Sequence, residues 1–157
     1  MGLFDYPTTE ASSIMRDSLV FLEHWTETDW ETLKMYLQHQ ILEKDDTLFK
    51  VNDTSQYLSI VLEGQLGIFI EQAKKEQFMH VSTIVEGSVV GEQAFLDGSP
   101  RSADVRALTR VEIMNLSMDD FLRFKQVEPD LSHDLIFDLA KILSARLRHA
   151  TQLITEN

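Results

Sequence analysis

The sequence predicts a mainly β protein: an antiparallel β-roll, jelly-roll-like, with N-terminal helices and two C-terminal helices. Two observations predict it. Short runs rich in Val, Ile, Leu and Phe follow one another from Gln40 to Leu116, separated by turn residues such as Asp-Asp, Asn-Asp and Glu-Gly. That close, regular spacing belongs to an antiparallel roll or sandwich rather than to a parallel sheet. On both sides of this region the apolar residues change to helical spacing. The 157 residues are enough for one domain with a real core.

In chain order, residues 1–13 read as a flexible N-terminus, with Pro7, Thr8, Thr9, Ser12 and Ser13 breaking any period. Residues 14–157 read as one domain: helices over 14–38, the roll over 40–116, and two further helices over 117–155. A short helix is expected through Phe21. A second opens at Thr28, with Glu31 three residues later as a capping box, and Trp30, Leu33 and Leu37 form its apolar face. The strands follow in "ILEKDDTLFKVND", "YLSIVLEGQLGIFI", "QFMHVSTIVEG", "SVVGEQAF", "SADVRAL" and "RVEIMNLS", with "EQAKKEQ" as a solvated hairpin tip. "SMDDFLRFKQ" begins with a serine N-cap and acidic first-turn residues, and a longer helix starts after "EPD" at 128–130.

On that last helix Ile136, Ala140, Leu143, Leu147, Ala150 and Ile154 are spaced 4, 3, 4, 3, 4, a heptad seam. Leu135, Leu139 and Ile142 make a second apolar line in the first half only. The first half is therefore expected to be clamped between the roll and a second surface, and the second half, with one stripe left to bury, to meet its twin in a homodimer. The competing arrangement is a helix that lies along the roll as ordinary core.

The charge balance narrows the partners. A net charge of −12 repels phosphate backbones, which argues against DNA or RNA binding by this chain alone. Screening confines that repulsion to about 8 Å at physiological salt, so one well-placed arginine can still hold a small anion. No apolar run approaches the roughly 20 residues of a membrane span, the N-terminus lacks a signal-peptide pattern, and Tyr6 stands where a myristoylation signal has Ser or Thr. There is no cysteine, which removes disulfides and thiolate chemistry. The expectation is a cytoplasmic protein without a membrane anchor.

Catalytic patterns are missing. His24, His39, His80, His133 and His149 form no metal-ligand spacing, so no metal and no cofactor are expected. No GxSxG elbow, P-loop or GxGxxG is present. A cupin-like enzyme would need the missing ligand cluster.

The informative segment is "GEQAFLDGSPRSADVRA", residues 91–107. Gly91 permits close backbone approach, and residues 92–96 can form one helical turn whose free N–H groups suit an anion. "DGSP" then reverses the chain, and Arg101 emerges with a planar fork suited to phosphate. Ser102 adds a hydroxyl, and Glu92 is an acceptor for a sugar hydroxyl. The plainer alternative is an Arg101–Glu92 ion pair that ties the loop to the roll.

G-E-x-A, five residues, then P-R-S-A resembles the phosphate-binding cassette of the cyclic nucleotide-binding domain family, which includes the catabolite activator protein, kinase regulatory subunits and cyclic-nucleotide-gated channels. The resemblance runs from about Leu19 to Thr151. It includes the "LEG" turn at Gly64, the "VEGSVVGE" lead-in, and "SMDDFLRFKQVEPDLSHDLIFDLAKILSARLRH" as the family's B and C helices. It implies that Gly91, Glu92, Gln93 and Ala94 turn backbone amides toward the cyclic phosphate and that Glu92 accepts from the ribose 2′-hydroxyl. Arg101 would pair with the exocyclic oxygens, Ser102 and Ala103 would continue the cassette, with the Ser102 hydroxyl on phosphate or base, and Thr151 would reach adenine. Asp45 or Asp46 and Asn52 replace glycines common in the family, and they too can take left-handed geometry; Ala150 replaces a hydroxyl residue. The implied protein is a non-enzymatic cAMP or cGMP sensor. With the sequence ending at Asn157, it reads as a stand-alone domain that signals by C-terminal helix rearrangement to an unknown effector protein. The alternative is a binding-incompetent relative that serves as a dimerisation or scaffold module.

Overall fold

The computed structural model describes residues 15–155 apart from 18, 73 and 75; the segment read as a flexible N-terminus lies outside them. Among the described residues nine strands and four helices follow in order: β1 (Met15–Asp17), α1 (Glu27–Lys34), β2 (Gln38–Leu42), β3 (Thr47–Phe49), β4 (Leu58–Glu63), β5 (Leu66–Gln72), β6 (Gln77–Ile84), β7 (Val89–Val90), α2 (Glu92–Asp97), β8 (Asp104–Ala107), β9 (Val111–Leu116), α3 (Met118–Val127) and α4 (Pro129–Thr155). The strands form two sheets, β1-β6-β5-β8-β3 and β2-β9-β4-β7. Every pairing is antiparallel except β1 on β6. The fold is the expected antiparallel roll with flanking helices.

Two apolar clusters organise it. Phe49, Val61, Leu66, Val90, Val105, Val111 and Ile113 fill the space between the sheets. Leu58, Ile60, Val89 and Leu116 point from the second sheet to the helices, where they meet Phe21, Leu33, Phe121, Phe124, Leu135 and Leu139. β4 shows how one strand serves both. Leu58 and Ile60 face the helices while Val61 faces the roll, the two-residue alternation that pleating imposes.

The N-terminal segment departs from the expected helix. Residues 15–17 are a strand on β6, and a turn follows at 21–24, where a helix from residue 14 through Phe21 was expected. Isolated, the short run offers no period to separate a strand turn from a helical one; pairing with β6 decides it. α1 is capped by Thr26, whose hydroxyl accepts from Asp29 N while the Asp29 carboxylate accepts from Thr26 N. The capping box therefore sits two residues before the expected Thr28–Glu31 pair. Leu33 is fully buried and Trp30 and Leu37 pack beside it, as their spacing indicates. Asp45 and Asn52 both take positive φ, 73° and 71°, so Asp and Asn supply the left-handed turns there.

α3 begins as its sequence dictates, with Ser117 Oγ accepting from Asp120 N. In α4, Leu135, Leu139 and Ile142 are buried against the core. The turn at 21–25 is fastened to the same half: Leu22 N donates to Asp138 (2.6 Å), and His24 and Trp25 both reach the Asp134 carboxylate (3.0 and 3.3 Å).

Candidate functional site

A cavity of about 510 Å³ lies between the roll and the last turns of α4. Its roll side is mostly apolar, with Phe49, Ile68, Val81, Val90 and Val105. One end is closed by residues 91–94 and 101–103, and α4 contributes Arg146, His149, Ala150, Leu153 and Ile154.

Gly91 sets the geometry of that end. It adopts φ 84° and ψ 15° as the N-cap of α2, and a Cβ there would meet Arg101 Nη1 at 2.6 Å and the Phe49 ring at 2.9 Å. A side chain at this position would be strained by its backbone and would collide with the arginine. α2 is one and a half turns long and closes on Gly98, also left-handed, whose N–H donates to Ala94 O.

Arg101 is only 4% exposed. Its guanidinium lies flat on Phe49, 3.6 Å from the ring centroid, and donates to Gly91 O (3.0 Å), Tyr57 O (2.7 Å) and Ser55 Oγ (3.2 Å). The backbone is fixed as well: Arg101 N donates to Asp53 O, and Asn52 N donates to Arg101 O. Burial pulls the Arg101 pKa down from its ordinary value, while Tyr57, Glu92 and Asp53 push it back up. Arginine remains charged throughout the physiological range. Of its five N–H donors three are engaged by protein, which leaves one on each terminal nitrogen.

Glu92 is buried, and its partner is Arg146 on α4, Oε1 to Nη1 at 2.9 Å. Arg146 also donates from Nη2 to Val89 O (2.7 Å) and Ser88 Oγ (3.3 Å). The direct Arg101–Glu92 pair that would have made the loop a self-contained tie is thus replaced by two separate arrangements. The arginine is held by two backbone carbonyls and the Ser55 hydroxyl, and the glutamate by a different arginine. Ser102 is exposed and donates to Gln93 Oε1 at 3.0 Å.

Seven of the eight residues singled out as ligand-binding, Gly91, Glu92, Gln93, Ala94, Arg101, Ser102 and Ala103, line this one cavity. Thr151 does not. It is exposed on α4 and its hydroxyl donates to Leu147 O (2.9 Å). In the heptad seam, Ile136 packs against the core, Leu143 is half-buried, and Ala140, Leu147, Ala150 and Ile154 are exposed. Sequence reasoning missed Arg146 and His149. The signal was available: continuing the buried stripe Leu135, Leu139, Ile142 at the same spacing arrives at Arg146, His149 and Leu153. An arginine on the inward stripe of an amphipathic helix needs an anion on the facing surface.

Apolar walls with a few convergent polar groups at one end are those of a small-molecule site, and the volume falls within the roughly 300–1,000 Å³ such sites occupy. The cyclic nucleotide-binding domain model matches residues 39–127, more than half of the chain, and the chain belongs to that family. It is similar to the cAMP-activated global transcriptional regulator CRP of Salmonella typhimurium, 29% identical over 71% of this chain and 55% of the relative. It is also similar to a cAMP-dependent protein kinase regulatory subunit of Emericella nidulans, 34% identical over 59% of this chain and 23% of the relative. Among solved structures, a cyclic nucleotide-binding domain from Methylobacillus flagellatus superposes with a TM-score of 0.78 at 23% identity, covering 84% of this chain and 74% of the other. The Thermus thermophilus catabolite activator protein gives 0.73 at 24%, covering 85% and 60%. The chain spans about half the length of the CRP-type relatives it matches. No helix among the described residues is long and apolar enough to cross a membrane.

Proposed function

We propose that this chain is a non-enzymatic cyclic nucleotide sensor acting in the cytoplasm, with cAMP as the favoured ligand and cGMP as the alternative. The observation that carries the reading is a buried, charged Arg101 in the same cavity wall as a buried Glu92. The cyclic phosphate sits against Arg101, using the two N–H groups its protein contacts leave, and against the backbone amides after Gly91. The ribose 2′-hydroxyl donates to Glu92. The purine extends along the apolar wall beneath α4. The names of the relatives, cAMP-activated regulators and a cAMP-dependent kinase subunit, favour cAMP.

The output is carried by α4. Arg146 bridges the helix to Glu92, so a ligand that shares Glu92 shifts the helix through its differential affinity for the two arrangements. The exposed seam residues Leu147 and Ile154 are the surface this movement presents to a second copy in a homodimer or to an effector protein.

The test is calorimetric titration with cAMP and cGMP of the wild type and of Arg101→Ala. Micromolar or tighter binding of one nucleotide, weakened more than tenfold by the substitution, supports the reading, since a hydrogen bond to a charged group contributes about 1.5–3 kcal/mol. No binding of either nucleotide at millimolar concentration refutes it and leaves the scaffold role.

A further inference from the structure

Five polar side chains gather at the α2 end of the cavity: Glu92, Gln93, Arg101, Ser102 and Arg146. Glu92, Arg101 and Arg146 have evident tasks in the proposed cyclic nucleotide site, and any role for the other two rests on that proposal. Gln93 and Ser102 face each other: Ser102 Oγ donates to Gln93 Oε1 at 3.0 Å, across nine residues of sequence. A serine hydroxyl has one proton. While it is given to Gln93, Ser102 presents only acceptor lone pairs to the cavity, and an acceptor repels a phosphate oxygen. The Gln93 amide is in the opposite condition. Its oxygen is engaged, which fixes the plane of the amide, and its two N–H donors remain on Nε2. An exposed glutamine side chain without such a tether would sample many rotamers, each an entropy cost to binding.

We propose that the Gln93 side-chain amide is a phosphate donor of this site, reaching the exocyclic oxygen that Arg101 does not hold, and that Ser102 is a positioning residue that orients it. Arg101 is fixed on the floor of the cassette by Phe49, Gly91 O and Tyr57 O. Gln93 and Ser102 stand on the exposed side of the same end of the cavity. The two exocyclic oxygens of a cyclic phosphate diverge from phosphorus and so meet different partners, one charged and one neutral. A neutral donor is sufficient there because Arg101 already matches the single charge of the ligand.

The experiment uses the two diastereomers, Rp and Sp, of adenosine cyclic phosphorothioate. In each, sulfur, a weak acceptor, replaces one exocyclic oxygen. Affinities for cAMP and both diastereomers are measured for the wild type, Gln93→Leu, Gln93→Glu and Ser102→Ala, with thermal melting as a check, which exposed positions should pass unchanged. Gln93→Leu is expected to weaken cAMP about tenfold and to change the Rp/Sp affinity ratio by about fivefold or more, because the diastereomer with sulfur at Gln93 no longer loses a contact. Gln93→Glu should weaken cAMP further by placing a carboxylate against the phosphate, and Ser102→Ala should move the ratio in the same direction by about twofold to threefold. A ratio unchanged by Gln93→Leu, with cAMP binding intact in the wild type, overturns the assignment alone. So does a ratio that moves in Ser102→Ala and not in Gln93→Leu, which would make the serine itself the phosphate contact. A wild type that binds no cyclic nucleotide overturns the reading of the site and this assignment with it.

Discussion

The two halves of α4 carry the same apolar spacing and live in different surroundings. In the first half Leu135 and Leu139 are fully buried, Ile142 nearly so, and Asp134 and Asp138 bind the 21–25 turn. In the second half the same inward stripe turns into Arg146, His149 and Leu153 over the cavity, while Leu147 and Ile154 are 69% and 78% exposed. One helix is thus an anchor at its start and a cavity lid at its end. Movement can therefore enter at the second half. Apolar burial holds the first half by contacts that no small ligand touches, whereas the second half is held at the site by a bridge to Glu92, the residue a ribose would share.

Substitutions that attack the anchor should have the largest effect. Leu139→Ala removes a fully buried side chain from the main helical core and should cost about 2–5 kcal/mol in chemical denaturation. Leu147→Asp, two turns further on, should change the unfolding free energy of the isolated domain by less than about 0.5 kcal/mol while shifting any dimer to monomer in sedimentation velocity. Equal losses of stability at the two positions would erase the distinction between the halves.

An intermediate effect is expected at the bridge. Arg146→Met leaves the Glu92 carboxylate buried without that ion-pair partner, which should destabilise the domain by about 3 kcal/mol. The double variant Glu92→Gln, Arg146→Met should recover part of that loss, since neither charge is then stranded. A strictly additive double variant would mean that the two side chains do not act as a pair.

The smallest effect concerns acid. Hydrogen bonding from His24, aided by Trp25, holds the Asp134 carboxyl below its ordinary value of 3.8 despite an opposing desolvation effect. A group depressed on folding binds fewer protons in the native state, so its contribution is present above the unfolded pKa and is lost as pH falls through the folded one. Melting temperatures from pH 5 down to 3 should therefore fall more steeply for the wild type than for Asp134→Asn. Parallel curves would show that this contact does not help the anchor.

Much of the fold and of the site is legible in the sequence, for identifiable reasons. The roll showed itself because short apolar runs and turn residues recur along 40–116, and the cassette because Gly91, Glu92, Arg101 and Ser102 lie within a dozen residues of one another. Side-chain chemistry points to left-handed turns at Asp45 or Asp46 and at Asn52, and the structure makes the first of these Asp45. What was not legible depends on contacts distant in sequence. The strand at 15–17 exists through β6, more than sixty residues away. The partner of Glu92 lies 54 positions later on α4. Arg101 gives two of its donors to the carbonyls of Gly91 and Tyr57, and a carbonyl has no residue-type signature at all. Thr151 shows the converse. It sits one helical step outside the cavity-facing stripe, with its hydroxyl on Leu147 O.

In the proposed sensor, ligand binding at the cassette is felt by the second half of α4 and not by the first. Hydrogen–deuterium exchange of the domain with and without saturating cAMP or cGMP, whichever binds, tests it most directly. Protection should change in residues 91–103 and 143–155, with residues 132–142 unchanged. Protection that rises equally along the whole of α4, or that changes in the cassette while 143–155 stay as they were, would contradict it.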